Sequence, residues 1–274
     1  MSRPVKSGSR DDPRYNIRVL DRAISILSLL ADGRARTPAE INEEIDLSSS
    51  TTFRMLSTLS YHRYVKRDES TNQFQLGLAC LELAQAFLAG NDVRRVSMEE
   101  LETLRNETKE TVHLAVLEDM EIVYLEKLPG LHAIGLMSSR VGGRSPAYCT
   151  GVGKVLLAYQ KTEMVRAYYE AHGLPRFTDS TITDLAHLMS ELEEIHNKGY
   201  ALDRGEHEDE VRCVATPIFD LSGQVVAALS ISGPAARIDP LEENREMIAL
   251  AEHAGENISR LLGHHALKNS WSKE

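Results

Sequence analysis

Apolar residues at Leu20, Ala23, Ile24, Leu27, Leu30 and Ala31 recur at helical spacing, with Asp21, Arg22 and Ser28 on other faces. That pattern predicts an amphipathic helix, ended by Asp32-Gly33. Thr37-Pro38-Ala39-Glu40 reads as a second helix start: Thr37 caps, Pro38 fits the first turn and Glu40 closes a capping box. This short helix carries Ile41 and Ile45 and breaks near Asp46-Leu47. A third helix begins at Ser48, with Phe53, Leu56 and Leu59 expected inward and Ser49, Ser50 and Arg54 outward. Residues 64–67 and 73–76 then read as strands joined by a turn at 68–72.

Three helices and a hairpin within about sixty residues match the layout of a winged helix-turn-helix, whose third helix enters the DNA major groove. The alternative is a small helical domain serving only dimerisation. On the DNA reading, the small hydroxyls of Ser48, Ser49, Ser50 and Thr51 allow close approach of the backbone, and Arg54 suits a base edge or phosphate. Lys66 and Arg67 on the hairpin can reach phosphates. Apolar residues continue at helical spacing over 78–89, and a further helix is expected over 93–108. Such a helical connector can pass a change from one module to the other.

From residue 110 the period changes. Segments 111–117 and 121–126 read as adjacent strands around Asp119-Met120, and 211–219 and 224–232 as another pair turning at 220–223. Helices are expected over 152–160, 163–171, 183–198 and 239–262. Antiparallel strand pairs with interspersed helices predict an α+β domain. Alternation puts Ser230 and Ser232 on one strand face, and Leu229 and Ile231 on the other; by themselves the serines are more simply explained by a solvated sheet face.

Charge sharpens the division. The 274-residue chain has a net charge of −10, yet residues 1–78 carry 12 basic against 10 acidic residues. The remainder holds 19 basic against 31 acidic, so any polyanion is expected to meet the first half alone. No apolar run approaches the roughly 18 residues of a membrane span. The 3 widely spaced cysteines suggest no disulfide framework, and a reducing cytoplasm is expected.

The stretch Thr150-Gly-Val-Gly-Lys154 looks like a phosphate loop. The likeness fails in detail: Val155 stands where the magnesium-binding hydroxyl belongs, and Tyr148 where the first glycine does. Amides at the start of a helix still favour an anion. Lys154 is expected to point along that helix toward solvent. Two other chemistries deserve weighing. Cys149 or Cys213 with His113 or His207 would make a nucleophile–base pair of a hydrolase, but nothing in the sequence brings them together. A zinc sensor using His113, His207 and Cys213 matches no standard ligand spacing. His264 and His265 are expected near a helix C-terminus.

Across residues 16–263 the chain resembles the IclR-type bacterial transcription regulators. The resemblance rests on LSSSTTFRMLSTL at 47–59, ETVHLAV at 110–116, CTGVGKVLLA at 149–158, GYALD at 199–203, VRCVATPIFD at 211–220 and VAALSISG at 226–233. It implies an arm at 1–15, a winged helix-turn-helix domain at 16–77 and a linker helix at 78–92. A GAF-like effector domain with an antiparallel sheet and flanking helices follows at 93–263, and a tail at 264–274. It further implies a dimer, or dimer of dimers, on a roughly palindromic double-stranded operator, and a small organic acid as effector. Ser48, Ser49, Ser50, Thr51, Phe53, Arg54, Lys66 and Arg67 would meet DNA. By motif position, the effector would be held by the amides of Gly151 and Val152 and the side chains of Asp203, Cys213, Ser230 and Ser232, with Ile134 and Met137 as apolar walls. No catalytic residue, metal or cofactor is implied, and no membrane partner.

Two positions depart from the family pattern. Thr52 replaces an apolar residue in the third helix, which predicts looser packing there. Arg63 replaces a glycine before the wing, which costs about 1 kcal/mol if the backbone is left-handed.

Overall fold

The computed structural model describes residues 17–90, 92–132 and 137–264. The calls at Ile134 and His265, and those on the arm at 1–15, lie outside the described residues. The chain divides into two compact units, residues 1–90 and 91–274.

In the first unit, α1 (Arg18–Leu30) is followed by α2 (Pro38–Glu44) and α3 (Ser49–Tyr61). Thr37 and Glu40 form the expected reciprocal capping box, and Ser48 caps α3 by accepting the Thr51 amide. Strands β1 (Val65–Arg67) and β2 (Phe74–Leu76) pair antiparallel, with Arg36 bridging to Phe74 on the far edge. The core is Ile26, Leu30, Ile41, Met55, Leu56, Val65 and Phe74. Two expectations fail. Phe53 does not face inward: it is 66% exposed, while Thr52, Met55 and Leu56 take the buried face of α3. On α1, Leu20 and Ile24 stay more than half exposed, because the small core needs only the stripe through Ile26 and Leu30.

Both departures from the family pattern have structural consequences. Arg63 adopts φ 61°, the left-handed region where a side chain is strained. Thr52 is fully buried, and its hydroxyl has no hydrogen-bond partner among the described residues. Helix α4 (Leu78–Ala89) leaves Leu78, Leu81, Leu83 and Phe87 exposed.

The second unit opens with α5 (Asp92–Thr108), then β3 (Thr111–Glu118) and β4 (Glu121–Leu128). Asp119 and Met120 both take positive φ, as a tight two-residue hairpin turn requires. After β5 (Arg144–Pro146) come α6 (Gly151–Ala158), α7 (Thr162–His172), α8 (Leu185–Lys198) and β6 (Ala201–Asp203). Strands β7 (Val211–Phe219) and β8 (Val225–Pro234), short α9 (Ala235–Ile238) and α10 (Arg245–Leu261) complete it. The strands form one antiparallel sheet in the order β5-β4-β3-β8-β7-β6.

Large aliphatics such as Leu114, Val214, Leu229 and Ile231 cover one sheet face, packed with α5 and α10. The other face carries the small Ala115, Ala215 and Ala228, which let α6 settle close. The single helix expected over 239–262 is broken. Pro240 holds Asp239 extended, a short turn intervenes, and Asn244 caps a new start by accepting the Met247 amide. Likewise α8 begins at Leu185, because Asp184 accepts the His187 amide.

Candidate functional site

Two surfaces collect the chemistry. On the first unit, Ser48, Ser49 and Ser50 are exposed at the start of α3, together with Phe53 and Arg54, and Thr51 is half-buried. Their hydroxyls are already linked locally: Ser48 Oγ lies 2.9 Å from Thr51 Oγ1, and Asn42 donates to Ser49 Oγ. Lys66 and Arg67 are exposed on β1, with the Arg67 Nε tied to Asn72 at 2.9 Å. Among the described residues neither Arg54 nor Lys66 has an ion-pair partner.

On the second unit, a small cavity of about 50 Å³ lies between the sheet and the N-terminus of α6. Gly151, Val152, Asp203, Cys213, Ser230, Ser232 and Met137 all line it. The two serines are buried, not solvated, because β8 runs centrally between β3 and β7. Register sets His113 of β3 opposite Ser230, and Cys213 of β7 opposite Ser232. The Ser230 and Ser232 hydroxyls stand 3.2 Å apart, each 3.4 Å from His113 Nδ1. The other His113 nitrogen meets Ser139 Oγ at 2.9 Å. Burial, with help from the Lys127 charge, pulls the His113 pKa down to about 3, so the ring is neutral at physiological pH.

Asp203 is less available than its position suggests. Its Oδ1 accepts the amides of Gly205 (3.0 Å) and Glu206 (2.9 Å), and Cys213 donates to its Oδ2 at 3.5 Å. Burial and the Asp203 charge push the Cys213 thiol well above its ordinary range. That is the opposite of what a nucleophile needs. Gly151 packs against the Cys213 sulphur, and Gly151 and Val152 both lie at the start of α6 on the cavity lining. No side chain caps α6. Among the described residues, no three His, Cys, Asp or Glu side chains are grouped to hold a metal.

The two glycines of the loop are demanded by packing. A Cβ on Gly151 would meet Cys213 Sγ at 2.8 Å, and one on Gly153 would meet the Ala147 carbonyl oxygen at 2.2 Å. Lys154 overturns its expectation: it is fully buried, donating to Glu191 (2.9 Å), Glu206 and the Leu202 carbonyl (2.8 Å).

Comparison with known proteins decides the family. Residues 19–69 match the model of the IclR helix-turn-helix domain, and residues 85–260 that of the bacterial transcriptional regulator IclR C-terminal. The chain belongs to the IclR family. It is 34% identical over 244 residues to the HTH-type transcriptional regulator KdgR of Escherichia coli (strain K12), covering 89% of this chain and 92% of that one. The crystal structure of the Thermotoga maritima IclR superimposes with a TM-score of 0.73 at 32% identity, over 91% of this chain and 100% of that one. An IclR homologue from Microbacterium hydrocarbonoxydans, complexed with 4-hydroxybenzoate, matches with a TM-score of 0.78 at 29% identity, over 89% and 98% of the two chains.

This IclR-family chain is therefore a transcriptional regulator with a helix-turn-helix DNA-binding domain and an α+β C-terminal domain. No described helix is long and apolar enough to cross a membrane. Several cavity-lining residues were not among those expected at the effector site: Tyr124, Glu208, Ser138, Ser139 and Ser145, and also Thr150, His113 and His207, the two histidines having been weighed only as a base or zinc ligands. His113 had a usable signal, since alternation in 111–117 places it on the face of Ala115; the neighbouring strand was what sequence did not reveal. Glu208 accepts from both the amide (3.1 Å) and hydroxyl (2.5 Å) of Ser138, while its Oε2 and the His207 Nδ1 are buried without a partner among the described residues. His264, beyond the end of α10, stacks on Phe219 at 5.1 Å between ring centroids.

Proposed function

We propose that this regulator senses a small monocarboxylate in the cavity beneath α6 and answers by changing its hold on a roughly palindromic operator. The carrying observation is the mix of polar groups lining the cavity. The donors are the Val152 amide at an uncapped helix start and the buried hydroxyls of Ser230 and Ser232. They suit a carboxylate. Asp203 Oδ2 and Glu208 Oε2 are acceptors, and among the described lining residues there is no Lys or Arg. A ligand bringing a hydroxyl or amine to those acceptors is favoured, and a second carboxylate is repelled. The Microbacterium homologue's 4-hydroxybenzoate, a monoanion with a distal hydroxyl, has that form.

In the DNA-binding unit, α3 enters the major groove with Ser48, Ser49, Ser50, Thr51, Phe53 and Arg54, and Lys66 and Arg67 reach phosphates from the hairpin. The exposed apolar residues of α1 and α4, including Leu20, Ile24, Leu81 and Phe87, support pairing of two chains, as a two-fold operator requires. The winged domain at 16–77 is joined by a linker helix at 78–92 to the effector domain at 93–263. A thermal-shift screen of organic acids, with Ser230→Ala as control, tests the reading. Acids that stabilise the wild type and not the variant, and that alter operator binding, are expected; stabilisation by cationic metabolites alone would oppose it.

A further inference from the structure

We infer that Lys154 is a positioning residue for the effector cavity: through Glu206 and the Leu202 carbonyl it fixes the turn that presents Asp203. The ammonium is fully buried and its three donors have three acceptors on three elements: Glu191 on α8, the Leu202 carbonyl on β6, and Glu206 in the turn after β6. Leu202 immediately precedes Asp203. Glu206 donates its own amide to Asp203 Oδ1 at 2.9 Å, while its carbonyl accepts the Thr181 hydroxyl at 2.7 Å. The same lysine stands one helical turn after Gly151, whose neighbour is Cys213. One side chain thus ties the start of α6 to the carboxylate turn that packs against it.

The charge balance explains why a lysine is needed. Burial opposes its charge, but Glu206, Glu191 and Asp203 outweigh that and hold the ammonium protonated. Burial pushes Glu206 up to about 7 even with the ammonium beside it. Without Lys154, Glu206 and Asp203 would be two buried carboxylates in one turn facing no buried cation, and the turn would open. Arg204 does not replace it: it is directed to Glu242 at 2.7 Å, with Glu191 at 3.4 Å, and is partly exposed.

The test follows alkylation of each cysteine by iodoacetamide in the full-length protein, resolved by mass spectrometry. Cys213 reports the turn, because its thiol donates to Asp203; Cys149 is buried and donates to the Pro146 carbonyl instead, and losing the Lys154 charge would only push its thiol further up, so opening of the turn alone leaves it protected. In Lys154→Met, Cys213 should react at least about tenfold faster, with Cys149 still protected. An unchanged Cys213 rate, or equal acceleration at both cysteines, overturns the inference, the latter marking general destabilisation. If that variant fails to fold, Glu206→Gln keeps the side-chain shape and removes the charge; a few-fold rise at Cys213 alone is expected, and no change overturns the inference. The inference rests on the effector reading only for its purpose. The alkylation assay contains no effector, so failure of either reading shows separately: a wild type that binds no carboxylate counts against the effector reading and leaves the alkylation result standing.

Discussion

Gly151 lies so close to Cys213 that a methyl group added to its Cα would meet the sulphur at 2.8 Å. A Gly151→Ala substitution must therefore push α6 away from β7 at the mouth of the cavity. Overpacking of this kind costs about 1–3 kcal/mol. Thermal denaturation should show that loss, and acids that stabilise the wild type should stabilise the variant less. Operator binding without effector should persist, since the helix-turn-helix domain lies in the other unit.

Arg54 is exposed on α3 without an ion-pair partner among the described residues. Arg54→Ala should weaken operator binding by about 1–3 kcal/mol, concentrated on one base pair of each half-site if the arginine meets a guanine edge. Competition against single-base operator variants measures this. An unchanged affinity and preference would remove Arg54 from the recognition set.

Thr52 buries a hydroxyl that no described residue satisfies. Thr52→Val keeps the shape and removes the unmet donor, so the first unit should gain about 1 kcal/mol. Chemical denaturation of wild type and variant checks it, and DNA affinity should be preserved because the side chain points inward.

His113 is held neutral by burial, with a folded pKa of about 3 against an ordinary 6.5. Between those values the unfolded chain binds the proton and the folded chain does not. Stability from this residue is complete above about pH 6.5 and declines as pH falls toward 3, by up to a few kcal/mol. His113→Gln should flatten that part of the stability profile, measured by urea unfolding from pH 7 to 4. A variant profile with the same slope would show that other groups set the acid response.

The elements were largely legible in sequence because alternation of period two and helical spacing are local signals: β7 begins and ends where Val211 and Phe219 suggested. The cavity-lining Gly151, Val152, Asp203, Cys213, Ser230 and Ser232 were identified through family motifs, and folding brings them around one space. What escaped is long-range. Lys154 looked solvent-directed because its partners Glu191 and Glu206 lie 37 and 52 residues away. Phe53 looked like core because helical spacing does not say how wide a face a seven-residue core can cover. His113 looked isolated until strand pairing set it opposite Ser230.

The most direct test of the account is isothermal titration of the wild-type protein with matched pairs of acids that share a skeleton, one member a hydroxy-monocarboxylate and the other a dicarboxylate. The Asp203 and Glu208 carboxylates in the cavity lining, with no Lys or Arg among the described lining residues, predict tighter binding of the monoanion, by a margin that Asp203→Ala narrows. Each unmet buried hydrogen bond accounts for about 1–3 kcal/mol of that preference. Tighter binding of the dicarboxylate to the wild type would contradict the proposed chemistry of the cavity.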